Sequence, residues 1–279
     1  MQVAIIGVGL IGGSLGLRLR QSGFASEVVG CGRSSANLET ALQLGCVDRY
    51  THQPLSAVTG ADLVVVATPV RTVGAIFEAI APEVTEHTVV TDVGSVKQSV
   101  VAQAARLPFP RRFVGGHPIA GTEDSGAAAA DADLFEDARW IITPEGSDAD
   151  AIDLVAGMVG ATGAQLERMS AARHDEIFAW VSHLPHLLAF ALGEALRQMD
   201  PGLLSYGGGG LRDFMRIAAS DPVMWRDIFE ANQPALMDAA SVFDRILRGL
   251  IEQISSDSEA VAATLEQVRA LVRAARETT

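Results

Sequence analysis

The chain has 279 residues, a length that corresponds to about two domains at ~150 residues each. Hydrophobic residues make up 48% and charged residues 20%, a balance that excludes a disordered or fibrous chain. The formal net charge of −13 argues against a protein that wraps nucleic acid or docks on an anionic membrane, because both surfaces would repel it.

Strands and helices alternate through the first part of the chain. Short apolar runs predict strands at 3–6, 28–30, 62–67, 88–91, 112–115 and 140–143, with helical spacing at 11–21, 34–44 and 73–80. The run at 62–67 is continuously apolar, as expected of a strand buried on both faces. Because crossovers between parallel strands are right-handed, this alternation predicts an α/β fold with a doubly wound parallel sheet.

The pattern changes near residue 168. A last predicted strand covers 165–169, and the remaining chain has helical periodicity, with long amphipathic stretches at 231–254 and 260–276. We therefore predict two domains, 1–168 and an all-helical 169–279, and the wide apolar helix faces predict a homodimer. Four glycines at 207–210 predict a loop, because each glycine costs about 1 kcal/mol in a helix relative to alanine.

Cysteine usage and the first residues bear on the compartment. Residues 2–6 already form a core-like β run without a basic segment before them, so no signal peptide is expected. The apolar stretch at 178–196 is too interrupted by polar residues to span a membrane. Cys31 and Cys46 form no zinc pattern or disulfide framework, which favours a cytoplasmic protein; a bridge between the two is the alternative.

A glycine-rich loop follows the first predicted strand and opens the first predicted helix. Gly7, Gly9 and Gly12 form a complete G-x-G-x-x-G pattern in this required context. Gly7 permits the tight turn, Gly9 lets a diphosphate approach the backbone, and Gly12 lets helix and strand pack closely. The free N–H groups of the helix N-terminus then favour the diphosphate. The pattern predicts a Rossmann-type dinucleotide site, with a glycine-rich turn without ligand as the alternative.

The end of the second predicted strand indicates which dinucleotide binds. An NAD site places an acidic residue about 20 residues after the glycines, but no carboxylate occurs at 30–35. Arg33, Ser34 and Ser35 instead suit a 2′-phosphate, which predicts NADP in preference to NAD; a solvated Arg33 is the alternative. The remaining residues assigned to the cofactor site are Leu10, Ile11, Thr68, Pro69 and Asp92.

Several longer motifs resemble one enzyme family. They are GLIGGSL at 9–15, DVGSVK at 92–97, GGHPIAGTEDSG at 115–126, SHLPH at 182–186 and GGGLRDFMRIA at 208–218, with a serine, aspartate and proline at 220–222 and a tryptophan at 225. In type and order they resemble the prephenate and arogenate dehydrogenases, the cyclohexadienyl dehydrogenases of tyrosine biosynthesis. The resemblance extends to about residue 232 and implies a nucleotide-binding domain followed by an all-helical dimerisation domain.

The resemblance implies an oxidative decarboxylation. These enzymes oxidise C4 of a cyclohexadienol and release the C1 carboxylate as CO2, so hydride goes to the nicotinamide while the 4-hydroxyl proton must leave. By resemblance His117 is the base that takes this proton, and neutral imidazole suits the task. Ser95 matches the serine beside the nicotinamide that orients the hydroxyl and His117; a helix N-cap is its alternative role.

The resemblance also implies the residues that bind substrate. Arg216 matches an arginine that grips a substrate carboxylate, and His183 matches a histidine near the substrate side chain. Asp213, Glu123 and Trp225 match positions that shape and gate the pocket. His186, one helical turn after His183, is interpreted as a packed or capping histidine. Asp213 and Arg216 could instead form an i,i+3 pair on a helix.

Alternative functions remain open at this point. One is a relative that acts on 4-amino-4-deoxyprephenate, and another is a silent NADP-binding sensor, which would need only the nucleotide loop. A 3-hydroxy acid dehydrogenase would use a lysine base in the second domain, but Lys97 is the only lysine in the chain. Arogenate and prephenate differ by an amino and a keto group, and Asp175 and Glu176 are candidates for recognising the amine.

Overall fold

The computed structural model describes residues 1–122 and 124–277. Its centre is one eight-stranded sheet with the order β3-β2-β1-β4-β5-β6-β7-β8. The strands are β1 Gln2–Ile6, β2 Glu27–Cys31, β3 Arg49–Thr51, β4 Leu63–Val66, β5 Val89–Asp92, β6 Phe113–Pro118, β7 Arg139–Thr143 and β8 Gln165–Arg168. The order in which strands are added to the sheet reverses between the parallel strands β1 and β4, where a doubly wound sheet opens its ligand crevice.

The predicted parallel sheet is confirmed from β3 through β6, and one pairing departs from it. β6 and β7 are antiparallel, with His117 opposite Ile141, whereas β7 and β8 run parallel to each other. The segment between β6 and β7 contains no α-helix among its described residues, so the chain re-enters the sheet from the end at which it left. The strand β3 was not predicted, because three residues are too short for a periodic pattern.

Helices cover both faces of this sheet. They are α1 Leu10–Gln21, α2 Ser35–Gln43, α3 Pro54–Val58, α4 Val73–Ile80, α5 Gln98–Gln103 and α6 Ala149–Ala161. Apolar side chains alternate along the central strands, so that Val3 and Ile5 face one buried cluster while Ala4 and Ile6 face the other. Cys31 and Cys46 are buried and free, so the alternative of a disulfide between them is wrong.

The second part of the described chain is helical. It contains α7 Ala171–Phe178, a π-helical turn Ala179–His183, α8 Leu184–Met199, α9 Gly209–Arg216, α10 Pro222–Ala231, α11 Gln233–Ser256 and α12 Ser258–Glu277. The glycine run was predicted as a loop, but Gly209 and Gly210 begin α9 after Gly208 as its N-cap. Gly208 suits the N-cap, where the backbone is extended and glycine is among the accepted residues.

Contacts divide the chain into two compact units, Met1–Gln233 and Pro234–Thr279. Within the first unit, Trp225 and Ile228 of α10 join the buried apolar cluster on one face of the sheet. The helices α7 to α10 therefore belong to the same contact unit as the sheet, although the sequence pattern changes near residue 168. No helix in the described part of the chain is long and apolar enough to cross a membrane.

Candidate active site

The glycine-rich loop has the geometry of a dinucleotide cradle. Gly7 has a positive φ of 103°, and a Cβ on it would lie 2.3 Å from the carbonyl oxygen of Ala67. A Cβ on Gly12 would lie 2.1 Å from the oxygen of Gly7, whereas one on Gly9 would meet nothing within 4 Å. Gly7 and Gly12 are thus required by packing, while Gly9 leaves open space at the N-terminus of α1, as a diphosphate requires.

The other assigned cofactor residues surround this cradle. Leu10 and Ile11 form the first turn of α1 and are half-buried. Thr68 and Pro69 follow β4, the strand beside β1, and the Thr68 hydroxyl accepts a hydrogen bond from Thr72 at 2.9 Å. Because both loops leave the carboxyl ends of adjacent parallel strands, they face the same crevice.

The loop after β2 presents three exposed polar residues. Arg33, Ser34 and Ser35 are all exposed, and Ser34 also caps α2 by accepting the Asn37 N–H at 3.3 Å. His52, which was not predicted, lies 3.2 Å from the Ser35 hydroxyl. Two hydroxyls, an imidazole and a guanidinium can all donate hydrogen bonds, so these groups could surround a phosphate on the adenosine ribose.

Asp92 differs from its predicted role. Its side chain is fully buried at the end of β5, where it forms an ion pair with Lys97 and accepts the Gly116 N–H at 3.0 Å. The Lys97 ammonium also donates to the Gly116 carbonyl at 2.7 Å. The Asp92 carboxylate is therefore engaged inside the protein and is not presented to a cofactor. The pair ties β5 to β6 directly beside His117.

His117 is the first member of a buried series of hydrogen-bonded side chains. It lies on β6 with 8% of its surface exposed, and its Nδ1 is 2.7 Å from Nε2 of His174 on α7. The Nδ1 of His174 is 2.8 Å from the Asp175 carboxylate. Burial, together with the charges of His174 and Lys97, holds the pKa of His117 well below its ordinary value, so the ring is neutral near pH 7.

His183 belongs to a second chain that begins at the same helix. The side-chain amide of Asn232 donates to the main-chain carbonyl of Asp175 at 2.9 Å and lies 3.0 Å from Nδ1 of His183. Because the amide nitrogen faces a carbonyl, it is the donor, and Nδ1 of His183 is the acceptor. Neutral His183 therefore carries its proton on Nε2, a buried atom that forms no hydrogen bond of ordinary geometry in the described part of the chain, although the Ser95 backbone acts on this ring.

Burial sets the charge of His183. It lowers the pKa of the imidazole to about 4, although Asp175 and the backbone of Ser95 act in the opposite direction. Ser95 is half-buried, and its alternative role as a helix N-cap is wrong because α5 begins at Gln98 after Lys97. The N-terminus of α5 is capped from another helix, by the Asp175 carboxylate.

The remaining predicted substrate residues lie on the later helices of the first unit. Trp225 is buried and stacks on His186 at 3.5 Å between ring centroids, and it meets His183 edge-on. The charge of Arg216, which is exposed on α9, acts on the pKa of His186. His186 is packed, as predicted. Asp213 is exposed on α9; Glu123 lies outside the described residues.

The two carboxylates that were candidates for recognising an amine lie in different surroundings. Asp175 is 1% exposed, and its carboxylate already accepts from His174 and from the backbone N–H groups of Lys97 and Gln98. Glu176 is exposed and pairs with Arg173 at 3.2 Å. Asp175 therefore has no free carboxylate oxygen for a substrate amine, and Glu176 lies on the solvated surface of α7.

His174 and Asn232 were missed by sequence reasoning. His174 precedes a carboxylate in the first turn of a helix, a pattern usually found on a solvated surface. A signal was nevertheless present, since three of the six histidines fall between residues 174 and 186. The pairing of His117 with His174 spans 57 residues and could not be deduced from spacing.

Comparisons with known proteins identify the family of the chain. A family model described as the prephenate dehydrogenase nucleotide-binding domain matches residues 15–168, and one described as the prephenate dehydrogenase dimerization domain matches 170–267. A Bacillus subtilis prephenate dehydrogenase is 37% identical over 88% of this chain and 67% of its own length. A Zymomonas mobilis cyclohexadienyl dehydrogenase is 35% identical over 91% of this chain and 88% of its own.

A solved structure extends the match to the whole fold. The prephenate dehydrogenase of A. aeolicus, crystallised with hydroxyphenyl propionate and NAD+, superposes with a TM-score of 0.93. It is 38% identical, and the superposition covers 98% of this chain and 97% of that one. The chain belongs to the prephenate dehydrogenase family of oxidoreductases.

Proposed function

We propose that the protein oxidatively decarboxylates prephenate or arogenate with NADP as the preferred cofactor. The observation that carries this proposal is the neutral His117 imidazole, buried on β6 near the carboxyl edge of the sheet, where the dinucleotide cradle also lies. Two features argue against a silent sensor. Nucleotide binding alone requires neither the His117–His174 contact nor the buried Nε2–H of His183.

The residues divide the work between proton transfer and substrate binding. His117 takes the proton of the 4-hydroxyl, with Ser95 orienting that hydroxyl. His183 offers its Nε2–H to a substrate oxygen, since this buried donor forms no hydrogen bond of ordinary geometry within the described residues. Arg216 binds a substrate carboxylate, and Trp225, Asp213 and Glu123 shape the pocket. The nicotinamide cofactor, when bound, supplies the hydride acceptor.

The choice of NADP rests on the loop after β2. Residues 30–35 contain no carboxylate to bind a ribose 2′-hydroxyl, and Arg33 is exposed beside two serine hydroxyls. A charged hydrogen bond to phosphate contributes about 1.5–3 kcal/mol, so Arg33→Ala should weaken NADP binding about 10- to 100-fold. The same variant should leave NAD binding nearly unchanged, because NAD lacks the 2′-phosphate.

We also propose that the chain divides into a domain 1–168 and a helical domain 169–279. A homodimer would form through the helical domain. Within the unit Pro234–Thr279, α11 and α12 expose large apolar side chains, which a partner would cover. They include Ile246, Leu247, Ile251, Ile254, Leu265, Val268, Leu271 and Val272. The two buried free cysteines support a reducing compartment such as the cytoplasm. Sedimentation of the full chain over a concentration series would test the dimer.

Initial rates test the function directly. Reduced cofactor is followed at 340 nm with prephenate and with arogenate, each with NADP and with NAD, beside His117→Asn. We expect turnover with NADP that the variant loses. Preference for NAD would overturn the interpretation of Arg33. Folded protein that binds NADP but converts neither substrate would overturn the proposal and favour the 4-amino-4-deoxy substrate, which is then assayed in the same way.

A further inference from the structure

The hydrogen bonds behind His117 form a line that ends on a carboxylate held by a helix. His117 contacts His174, and His174 contacts Asp175, at 2.7 and 2.8 Å. The Asp175 carboxylate also accepts the backbone N–H groups of Lys97 and Gln98 at 2.8 and 2.9 Å. It is therefore fixed in place by donors from α5, although it belongs to α7. His174 is completely buried, and Phe178 stacks on it at 4.5 Å.

The positions of the protons in this line follow from what each group can donate. The Asp175 carboxylate only accepts, so Nδ1 of neutral His174 carries a hydrogen and its Nε2 is bare. The bare Nε2 can only accept, so Nδ1 of His117 carries a hydrogen. A neutral imidazole has one N–H, and Nε2 of His117 is consequently left with its lone pair.

We propose that His174 and Asp175 are positioning residues that hold His117 in the tautomer required of a base and stabilise its protonated form. The inference rests on the proposed function, in which His117 takes the proton of the 4-hydroxyl. It assigns to α7 a part in the chemistry beyond packing. Neither residue reaches the reacting atoms, because both lie on the Nδ1 side of the His117 ring, whereas the substrate hydroxyl would meet its bare Nε2.

The reaction requires His117 to hold the proton only transiently. A line of hydrogen bonds that stabilises the positive charge, without carrying the proton away, suits this requirement. When the O–H bond of the 4-hydroxyl breaks, a bond to Nε2 of His117 forms and the electron pair stays on oxygen. That oxygen bears a proton in both the substrate and the phenol product, so the proton returns to it after CO2 leaves. His117 is thus cationic only briefly, and the Asp175 carboxylate, two hydrogen bonds away, offsets that charge.

Other charges also face this part of the site. The titratable groups around His117 come from β5, the β5–α5 loop, α7 and the π-helical turn: Asp92, Lys97, His174, Asp175 and His183. Lys97 opposes protonation of His117, and its ion pair with Asp92 moderates that effect. Asp175 is the carboxylate joined to His117 through a continuous line of hydrogen bonds.

Two substitutions at His174 separate positioning from packing. His174→Phe keeps an aromatic ring against Phe178 but removes the acceptor for His117, and we expect kcat to fall about 100-fold with little change in KM. His174→Gln restores a carbonyl acceptor and should recover at least about tenfold of this loss. Equal losses in both variants, or wild-type kcat in His174→Phe, would overturn the inference. Thermal melting of each variant verifies folding.

Asp175→Asn tests the charge, and its neighbour provides the matched control. Removing the carboxylate should move the acid limb of kcat/KM to lower pH, because the protonated form of His117 loses its counter-charge. Glu176→Gln makes the same chemical change one residue later, at an exposed side chain paired with Arg173, and should leave the profile unchanged. Equal profiles for the two variants would refute the electrostatic part of the inference.

Nitrogen-15 NMR of histidine-labelled protein provides a readout that needs no turnover. In the unaltered protein the resonances of His117 should show a protonated Nδ1 and a bare Nε2, and His174→Phe should lose this single tautomer. A protonated Nε2 in the neutral wild-type ring would overturn the inference whatever the substrate. The predicted tautomer in a protein that converts neither prephenate nor arogenate would instead refute the proposed function alone.

Discussion

The buried imidazole of His183 should make the protein lose stability as the pH falls. Its pKa is about 4 in the folded protein against 6.5 ordinarily, so the folded state binds fewer protons than the unfolded chain between these values. The contribution of His183 is therefore fully present above about pH 6.5 and is lost as the pH falls toward 4. A difference of about 2.5 pKa units corresponds to about 3 kcal/mol.

Urea unfolding at pH 7 and pH 4 measures this loss. His183→Asn keeps an acceptor near Nδ1 for Asn232 but removes the titrating ring, so its stability should fall by about 3 kcal/mol less than that of the wild type between the two pH values. His87→Asn at an exposed position is the matched control and should behave like the wild type. An equal loss for wild type and His183→Asn would refute the assignment of the proton uptake to His183.

Three further outcomes follow from the site. The acid limb of kcat/KM should lie below the ordinary histidine pKa, because burial lowers that of His117; a limb at or above pH 6.5 would contradict this origin. Gly9→Ala should keep the melting temperature but weaken nucleotide binding, because its Cβ would enter the open space of the cradle. Gly12→Ala should lower the melting temperature, because its Cβ would lie 2.1 Å from a backbone oxygen. Equal melting temperatures of the two variants would contradict this contrast. Lys97→Met should lower stability by about 3–5 kcal/mol in urea unfolding, since it leaves a buried carboxylate unpaired, and removing that carboxylate as well should recover part of the loss.

Local patterns in the sequence predict most of the sheet, because buried parallel strands are continuously apolar and glycine spacing marks the crevice. They do not predict that β7 runs antiparallel, since strand direction depends on how the chain returns and not on the composition of the strand. The role of Asp92 was misjudged for a similar reason. Its position at the end of a strand suggested a ligand contact, but its partner Lys97 lies within the protein and saturates it.

The residues that would react with substrate are held in place by a single turn of α7. The side chain of Asp175 supports His117 through His174, and its main-chain carbonyl supports His183 through Asn232. The same carboxylate caps the helix that follows Ser95. A shift of this turn would therefore displace His117, His183 and the loop that carries Ser95 together. Because proton transfer depends on distances within a few tenths of an ångström, one rigid reference for all three groups is a means of keeping their mutual geometry.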